Sequence, residues 1–190
     1  SSTMDKAMEL GLKDSSHGTL VVAETQTKGR GRLGRHWLSP KFKGVYFSLI
    51  LRPQIIPQQA SVLTIVIAVA LLEAIQKISG LSPSIKWPND IMLNNKKIGG
   101  ILLEMNAETD AVKFVVSGVG VNVSSSKGVT AANSTSLEDE SPMKVQRVAL
   151  LREILRRTEE NYLEFSQEGV KRILEKWRKF SSTLHSRIKV

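Results

Sequence analysis

Residues 60–72 read ASVLTIVIAVALL, thirteen consecutive positions without a charge. A segment this apolar has to leave water on every side. It is shorter than the roughly 18 residues that cross a bilayer, so it reads as a buried helix. The helical pattern covers 60–78 and ends at Ser79-Gly80, glycine being a common helix stop. A helix that is apolar all round needs a packing layer on each side. The rest of the chain must therefore supply both a sheet and further helices, most simply as one domain.

Short apolar runs provide the strands. TLVVAET at 19–25 and VYFSLIL at 45–51 read as strands, the second buried and stopped by Pro53 and Pro57. Ile85–Trp87 begins another, which Pro88 interrupts. Ile91–Leu93, Asn94-Asn95 and Lys97–Met105 read as a β-hairpin, because asparagine tolerates the positive φ of a tight turn. VKFVVSGVGVNV at 112–123 is either a strand pair or one bent strand carrying two glycines. Thr3 is placed to cap a first helix, with Met4, Ala7, Met8 and Leu12 on one face and Gly11 or Asp14 near its end. Residues 124–133, small and polar, read as a loop. Val148, Leu151, Leu155, Tyr162 and Phe165 mark the apolar face of a helix over 144–165. A second helix follows over 170–179, and Arg187–Val190 looks like the start of a strand. Trp87 and Trp177 read as core residues. This order predicts an α/β chain of the α+β type, a mixed β-sheet with helices packed mainly on one face. It does not alternate regularly enough for a doubly wound parallel sheet.

Lysine and arginine number 27 against 18 acids, a net charge of +9, which favours a nucleotide, a nucleic acid or an acidic protein as partner. The absence of cysteine excludes disulfides and a thiolate nucleophile and leans towards a cytoplasmic location. The opening SSTMDKAMEL lacks a signal-peptide core. His17, His36 and His185 lack metal-ligand spacing, so no metal held directly by a protein cage is expected.

The basic charge concentrates in KGRGRLGRHW at 28–37. Gly29, Gly31 and Gly34 match the dinucleotide pattern G-x-G-x-x-G. That motif needs a helix after the third glycine and an acid about 20 residues on. Pro40 denies the helix, and positions 52–54 hold Arg-Pro-Gln. No Gly-Lys-Ser/Thr is present, so the segment is not a P-loop either. What remains is chemical. Glycines permit tight folding and close approach, arginines present forked donors to phosphate or carboxylate, and Trp37 offers a flat face to a base. Such a loop repels itself without an anion, and is predicted to be mobile when empty and ordered when filled.

Gly29–Trp37 resembles the GRGRxGRxW signature of biotin–protein ligases. Lys86-Trp-Pro-Asn-Asp90 resembles their KWPND motif, Lys97–Glu104 their K-I-x-G-I-L-x-E segment, and Gly118–Val123 their GxGxN segment, all in the family order. Ser2-Thr3 matches the end of their S-T-N motif. The resemblance implies the fold shared by biotin and lipoate ligases and class II aminoacyl-tRNA synthetases. It implies activation of biotin by ATP and Mg²⁺ to biotinyl-5′-AMP, then transfer to a specific lysine of a biotin carboxyl carrier domain. It assigns Arg30 and Arg32 to the phosphates and the biotin carboxylate, Arg35 to support of the loop, and Trp37 to stacking on adenine. Lys86 would stabilise both transition states at the acyl–phosphate junction. Ser2, Thr3 and Gln26 would hydrogen-bond the ureido ring, and Gly29, Gly99 and Gly100 would complete the biotin pocket. Asn89 and Asn122 would contact the nucleotide. Asn89 and Asp90 would organise Lys86 or help place Mg²⁺ through water, with a structural role favoured for Asp90.

Two departures accompany the resemblance. The asparagine of S-T-N is Met4 here, which removes a polar contact or cap at the pocket entrance. The resemblance implies a catalytic domain over residues 1–186 and the start of a largely absent C-terminal β-barrel domain at 187–190, and leads us to expect no N-terminal DNA-binding domain. No membrane or DNA partner is expected. A homodimer paired through sheet edges is open. Two rival functions remain: a lipoate or octanoate ligase, whose R-x-x-G-G-G-x-x-x-H-type segment is not seen, and a non-catalytic nucleic-acid-binding module.

Overall fold

The computed structural model describes residues 1–125 and 133–184. The strand expected at 187–190 lies outside these residues, as does most of the loop expected at 124–133. Six strands form one sheet: β1 (Leu20–Ala23), β2 (Gly44–Leu51), β3 (Ser84–Lys86), β4 (Asp90–Leu93), β5 (Lys96–Ala107) and β6 (Val112–Asn122). Their order is β1-β2-β6-β5-β4-β3. Every ladder between named strands is antiparallel, and parallel pairing is confined to isolated bridges at Ile85/Ser181 and Lys97/Ser134. Short turns join β3 to β4, β4 to β5 and β5 to β6, and such turns connect antiparallel neighbours. Asn94 and Asn95 do take positive φ, 48° and 63°, in the β4–β5 turn. The segment at 112–123 is a single strand, not a pair.

Among the described residues four α-helices accompany the sheet: α1 (Thr3–Leu12), α2 (Val62–Ser79), α3 (Arg147–Glu168) and α4 (Val170–Phe180). Helix α2 stops at Gly80, left-handed at φ 69°. Its residues Leu63, Ile67, Leu71 and Ile75 pack on Val45, Phe47, Leu49, Val115 and Val119 of the sheet. Its opposite side, including Val66 and Val69, meets Ile173, Tyr162 and Phe165 of α3 and α4. By length and composition α2 could cross a membrane, but here sheet and helices take up its apolar surface on both sides.

Helix α1 lies on the other face, where Met4 and Ala7 pack on Ile50, Phe114 and Val116. Period-two alternation produces both faces: the odd residues of β2 point to α2 and the even ones to α1. The cap of α1 is Ser2 rather than Thr3, with the Ser2 hydroxyl accepting the Met4 N–H at 3.2 Å. The stripe of α1 runs through Met4, Ala7 and Gly11, leaving Leu12 63% exposed. In α3 the buried line is Leu150, Glu153, Ile154, Thr158 and Asn161. It is rotated from the apolar period read in sequence, and Val148 is 71% exposed. Buried polar residues on that line, Glu153 and Asn161, hid it from a pattern search. Trp87 is 53% exposed, edge-on to Trp177 at 5.8 Å, so it lies on the surface rather than in the core.

Glu153 ties α3 to α2. Its carboxylate meets Arg156, Arg157 at 3.0 Å and Lys77 at 3.2 Å. Chiefly the Arg156 hydrogen bond, opposed by burial, brings its pKa from 4.5 down to about 2. A depressed folded-state pKa contributes stability above the unfolded value, and that share disappears as pH falls through the folded one. Glu153→Gln is expected to lower the melting temperature at pH 7 and to flatten the stability loss between pH 4.5 and about 2. Thermal melts across that range check this; an unchanged acid slope would contradict it.

Candidate active site

Helix α1 covers only half of its sheet face. It rests on Phe114 and Val116 of β6, while Gly118, Gly120 and Asn122 continue past it on the same face. Gly100 and Leu102 lie beside them on β5, paired with Gly120 and Gly118. A strand interior made of glycine leaves room for a close approach from above. The result is a cavity of about 570 Å³ floored by β5 and β6 and walled by α1, the 28–37 segment and the β3–β4 turn.

The 28–37 segment is a narrow antiparallel ribbon. Trp37 N–H donates to Gly29 O at 2.9 Å and Gly31 N–H to Arg35 O at 2.7 Å, with Arg30 bridged to His36. Leu33 and Gly34 turn the tip at φ 57° and 71°. Gly29 admits the returning strand, since a Cβ there would stand 2.3 Å from Trp37 O. Trp37 then reaches the floor. A Cβ on Gly120 would stand 2.4 Å from its Nε1, and one on Gly100 3.3 Å from its Cζ3, so the indole spans the paired glycines. Its Nε1 is buried without a partner among the described residues.

One end of the cavity is polar and organised by α1. Thr3 donates both its N–H and its hydroxyl to Gln26 Oε1, at 2.9 and 3.1 Å. Ser48 donates to Thr3 Oγ1 at 2.8 Å, and Gln26 Nε2 donates to Ser39 Oγ at 2.9 Å. On the same side Tyr46 donates to Pro40 O at 3.3 Å, and burial pushes its phenol up to about 12, so it stays a neutral donor.

The other end gathers cations. Arg32 donates to Asn89 Oδ1 at 3.3 Å, and Asn89 Nδ2 donates to Ile101 O at 2.6 Å, fastening the ribbon to the β3–β4 turn. Arg30 is held by Asp5 of α1 at 3.1 Å and Glu104 of β5 at 3.2 Å. Lys97 pairs with Asp90 at 2.5 Å and stands 5.4 Å from the Trp37 ring centre. Arg35 and Lys86 line the cavity without a side-chain ion pair among the described residues. The ribbon's positive charge is thus partly matched by protein groups, in contrast to the self-repelling loop expected from its sequence.

Of the residues singled out in sequence, Thr3, Gln26, Arg30, Arg32, Arg35, Trp37, Lys86, Asn89, Gly100 and Asn122 line this one cavity. Ser2, Gly29 and Gly99 are not among the lining residues. Ser2 caps α1, Gly29 closes the ribbon, and Gly99 packs against Ile91 and Gly120 O, where a Cβ would stand 3.4 and 3.0 Å away. Asn122 donates to Thr135 O at 3.1 Å. Asn89 and Asp90 meet Arg32 and Lys97 through their side chains, and Asp90 is the cross-strand partner of Lys86. Lys97 went unassigned although it opens a motif. Only the fold of the β4–β5 hairpin brings it to Asp90 and Trp37. Among the described residues no group of three or more His, Cys, Asp or Glu is placed to hold a metal.

Comparison with known proteins agrees with this arrangement. The model of the biotin/lipoate A/B protein ligase family matches residues 1–122. The bifunctional ligase/repressor BirA of Bacillus subtilis is 40% identical over 185 residues, covering 95% of this chain and 57% of BirA. A biotin–acetyl-CoA-carboxylase ligase of Paracoccus denitrificans is 41% identical over 128 residues, covering 64% of this chain and 51% of that protein. The chain thus spans little more than half the length of these relatives. The structure of the biotin protein ligase from Aquifex aeolicus in complex with biotin and ATP superimposes with a TM-score of 0.81 and 31% identity, over 95% of this chain and 75% of that one. On this evidence the chain belongs to the biotin/lipoate A/B protein ligase family.

Proposed function

We propose that this chain carries the catalytic site of an ATP-dependent biotin–protein ligase, which makes biotinyl-5′-AMP and passes biotin to a lysine of a carboxyl carrier domain. The observation that carries the reading is one cavity with two unlike ends, a Thr3–Gln26 hydrogen-bonding end and a cationic end, joined by the Trp37 floor. The relatives named as biotin ligases favour biotin over lipoate. The polar end suits a ureido ring, which offers both donors and an acceptor. The cationic end suits a carboxylate brought up to a triphosphate.

In the first step a biotin carboxylate oxygen attacks the α-phosphorus and pyrophosphate departs. Two anions have to meet, and fixed cations lower that cost in the transition state. Arg32, Arg35, Lys86 and the half-buried Lys97 are the groups positioned for this. Arg30, already paired with two carboxylates, fixes the ribbon's base. In the second step the carrier lysine amine attacks the acyl carbon and AMP leaves. The Trp37 indole, which lines the cavity, is the platform for adenine. Asp90 is the one carboxylate among the described lining residues. A single carboxylate fits a Mg²⁺ that arrives on the triphosphate and keeps water ligands, neutralising phosphate charge.

Incubation with ATP and Mg²⁺ is expected to release pyrophosphate when biotin is added. Lys97→Ala is expected to slow that release by at least about tenfold, the scale of one lost electrostatic contact in a water-poor site. Release with lipoate or octanoate but not biotin would overturn the assignment, and a normal rate in Lys97→Ala would remove that residue from the chemistry. Gly120→Ala is expected to lift the indole off the floor, since its Cβ would overlap Nε1. Red-shifted tryptophan emission and weakened ATP binding would report this; an unshifted spectrum would show that the indole is not seated there.

A further inference from the structure

The cavity floor carries two protein side chains on its glycines. One is Trp37, on Gly100 and Gly120; the other is Met4. Met4 is 3% exposed yet lines the cavity. A Cβ on Gly118 would stand 2.5 Å from Met4 Sδ and 2.9 Å from its Cγ. The thioether therefore occupies the space that Gly118 leaves open. Its neighbours are the polar end: Thr3 precedes it, and Ser48, the partner of Gly118 across β2 and β6, donates to the Thr3 hydroxyl. Met4 is thus deep in the site, not at its entrance.

Gly118 and Gly120 are two residues apart on one face of β6. Their Cα positions are about 7 Å apart along the strand, so Met4 and Trp37 occupy adjacent seats on one face of the floor. We infer that Met4 is a specificity-determining residue: its thioether, seated on Gly118 next to the Trp37 seat on Gly120, is the apolar wall of a slot that sorts substrates by the bulk of the ring system read by Thr3 and Gln26. The identity of that ring as biotin's rests on the function proposed above. Methionine suits the task because its thioether is polarisable and its side chain adapts to an irregular surface. A fused ureido–thioether bicycle fills the slot, whereas a single ureido ring leaves the Met4 wall without contact.

The test compares binding of biotin with that of desthiobiotin, which keeps the ureido ring and acid tail but lacks the sulfur ring. Met4→Ala is expected to weaken biotin binding by about tenfold, the effect of a small change in apolar pocket contact. The preference for biotin over desthiobiotin should fall by at least about threefold on the same scale. Met4→Leu, nearly equal in volume, is expected to keep the preference. Met4 also packs on Ala7, Ile50, Phe114 and Val116, so thermal melts accompany each variant. Gly118→Ala leaves methionine in the chain but pushes its thioether into the slot, and should reduce the preference likewise. An unchanged biotin-to-desthiobiotin ratio in folded Met4→Ala or Gly118→Ala would overturn the inference. Failure of the parent protein to bind biotin would be a different result, overturning the functional reading and this inference with it.

Discussion

The contact on which the site depends is that of the Trp37 indole with Gly100 and Gly120. Neither glycine could carry a side chain without moving the ring or the Lys97 side chain beside it. With the indole down, Gly29 can close the ribbon on the Trp37 carbonyl, and the ribbon can reach Asn89 through Arg32. The loop, the floor and the β3–β4 turn are thereby one assembly. Its stability comes from backbone pairing and one seated aromatic ring. The ion pairs of Arg30 are half exposed and contribute little each; their effect is to orient the ribbon's base between α1 and β5.

The buried half of the fold could be read in sequence because burial leaves a periodic mark. The run at 60–72 is helix α2, Gly80 is its stop, and Asn94-Asn95 is the hairpin turn. Reading failed where a polar residue took a buried place or an apolar one stayed outside. Glu153 and Asn161 are buried because Lys77, Arg156, Glu73 and Lys176 satisfy them, and that pairing across helices leaves no period in the chain. Trp87 is outside, edge-on to Trp177, which itself packs against the core. Neither fact is visible in linear order.

The site shows the same division. Residues with distinctive chemistry, such as Arg32, Trp37 and Asn89, stand out in the motifs and line the cavity. The contacts of Lys97, Met4, Asp5 and Glu104 are not legible there, because they follow from cross-strand register and from the placement of α1 over half of one sheet face. A glycine in GVGVN reads as a loop feature. On a strand it reads as a seat, and what sits there is known only once α1 and the ribbon are in place. Ser2 caps α1 and also stands 3.5 Å from Gln26 Oε1, a double placement that linear order does not show.

Together these features make one argument: a polar end, an aromatic floor and a cationic end, in that order, suit a ureido ring, its acyl tail and an adenylate. The claim at the centre is that the whole sequence of events, activation and transfer, takes place in this cavity. Its most direct test is the intact mass of a biotin carboxyl carrier domain after incubation with this protein, biotin, ATP and Mg²⁺. The account predicts a single added biotinyl group, on one lysine, dependent on ATP. An unmodified carrier, or modification that persists without ATP, would contradict it.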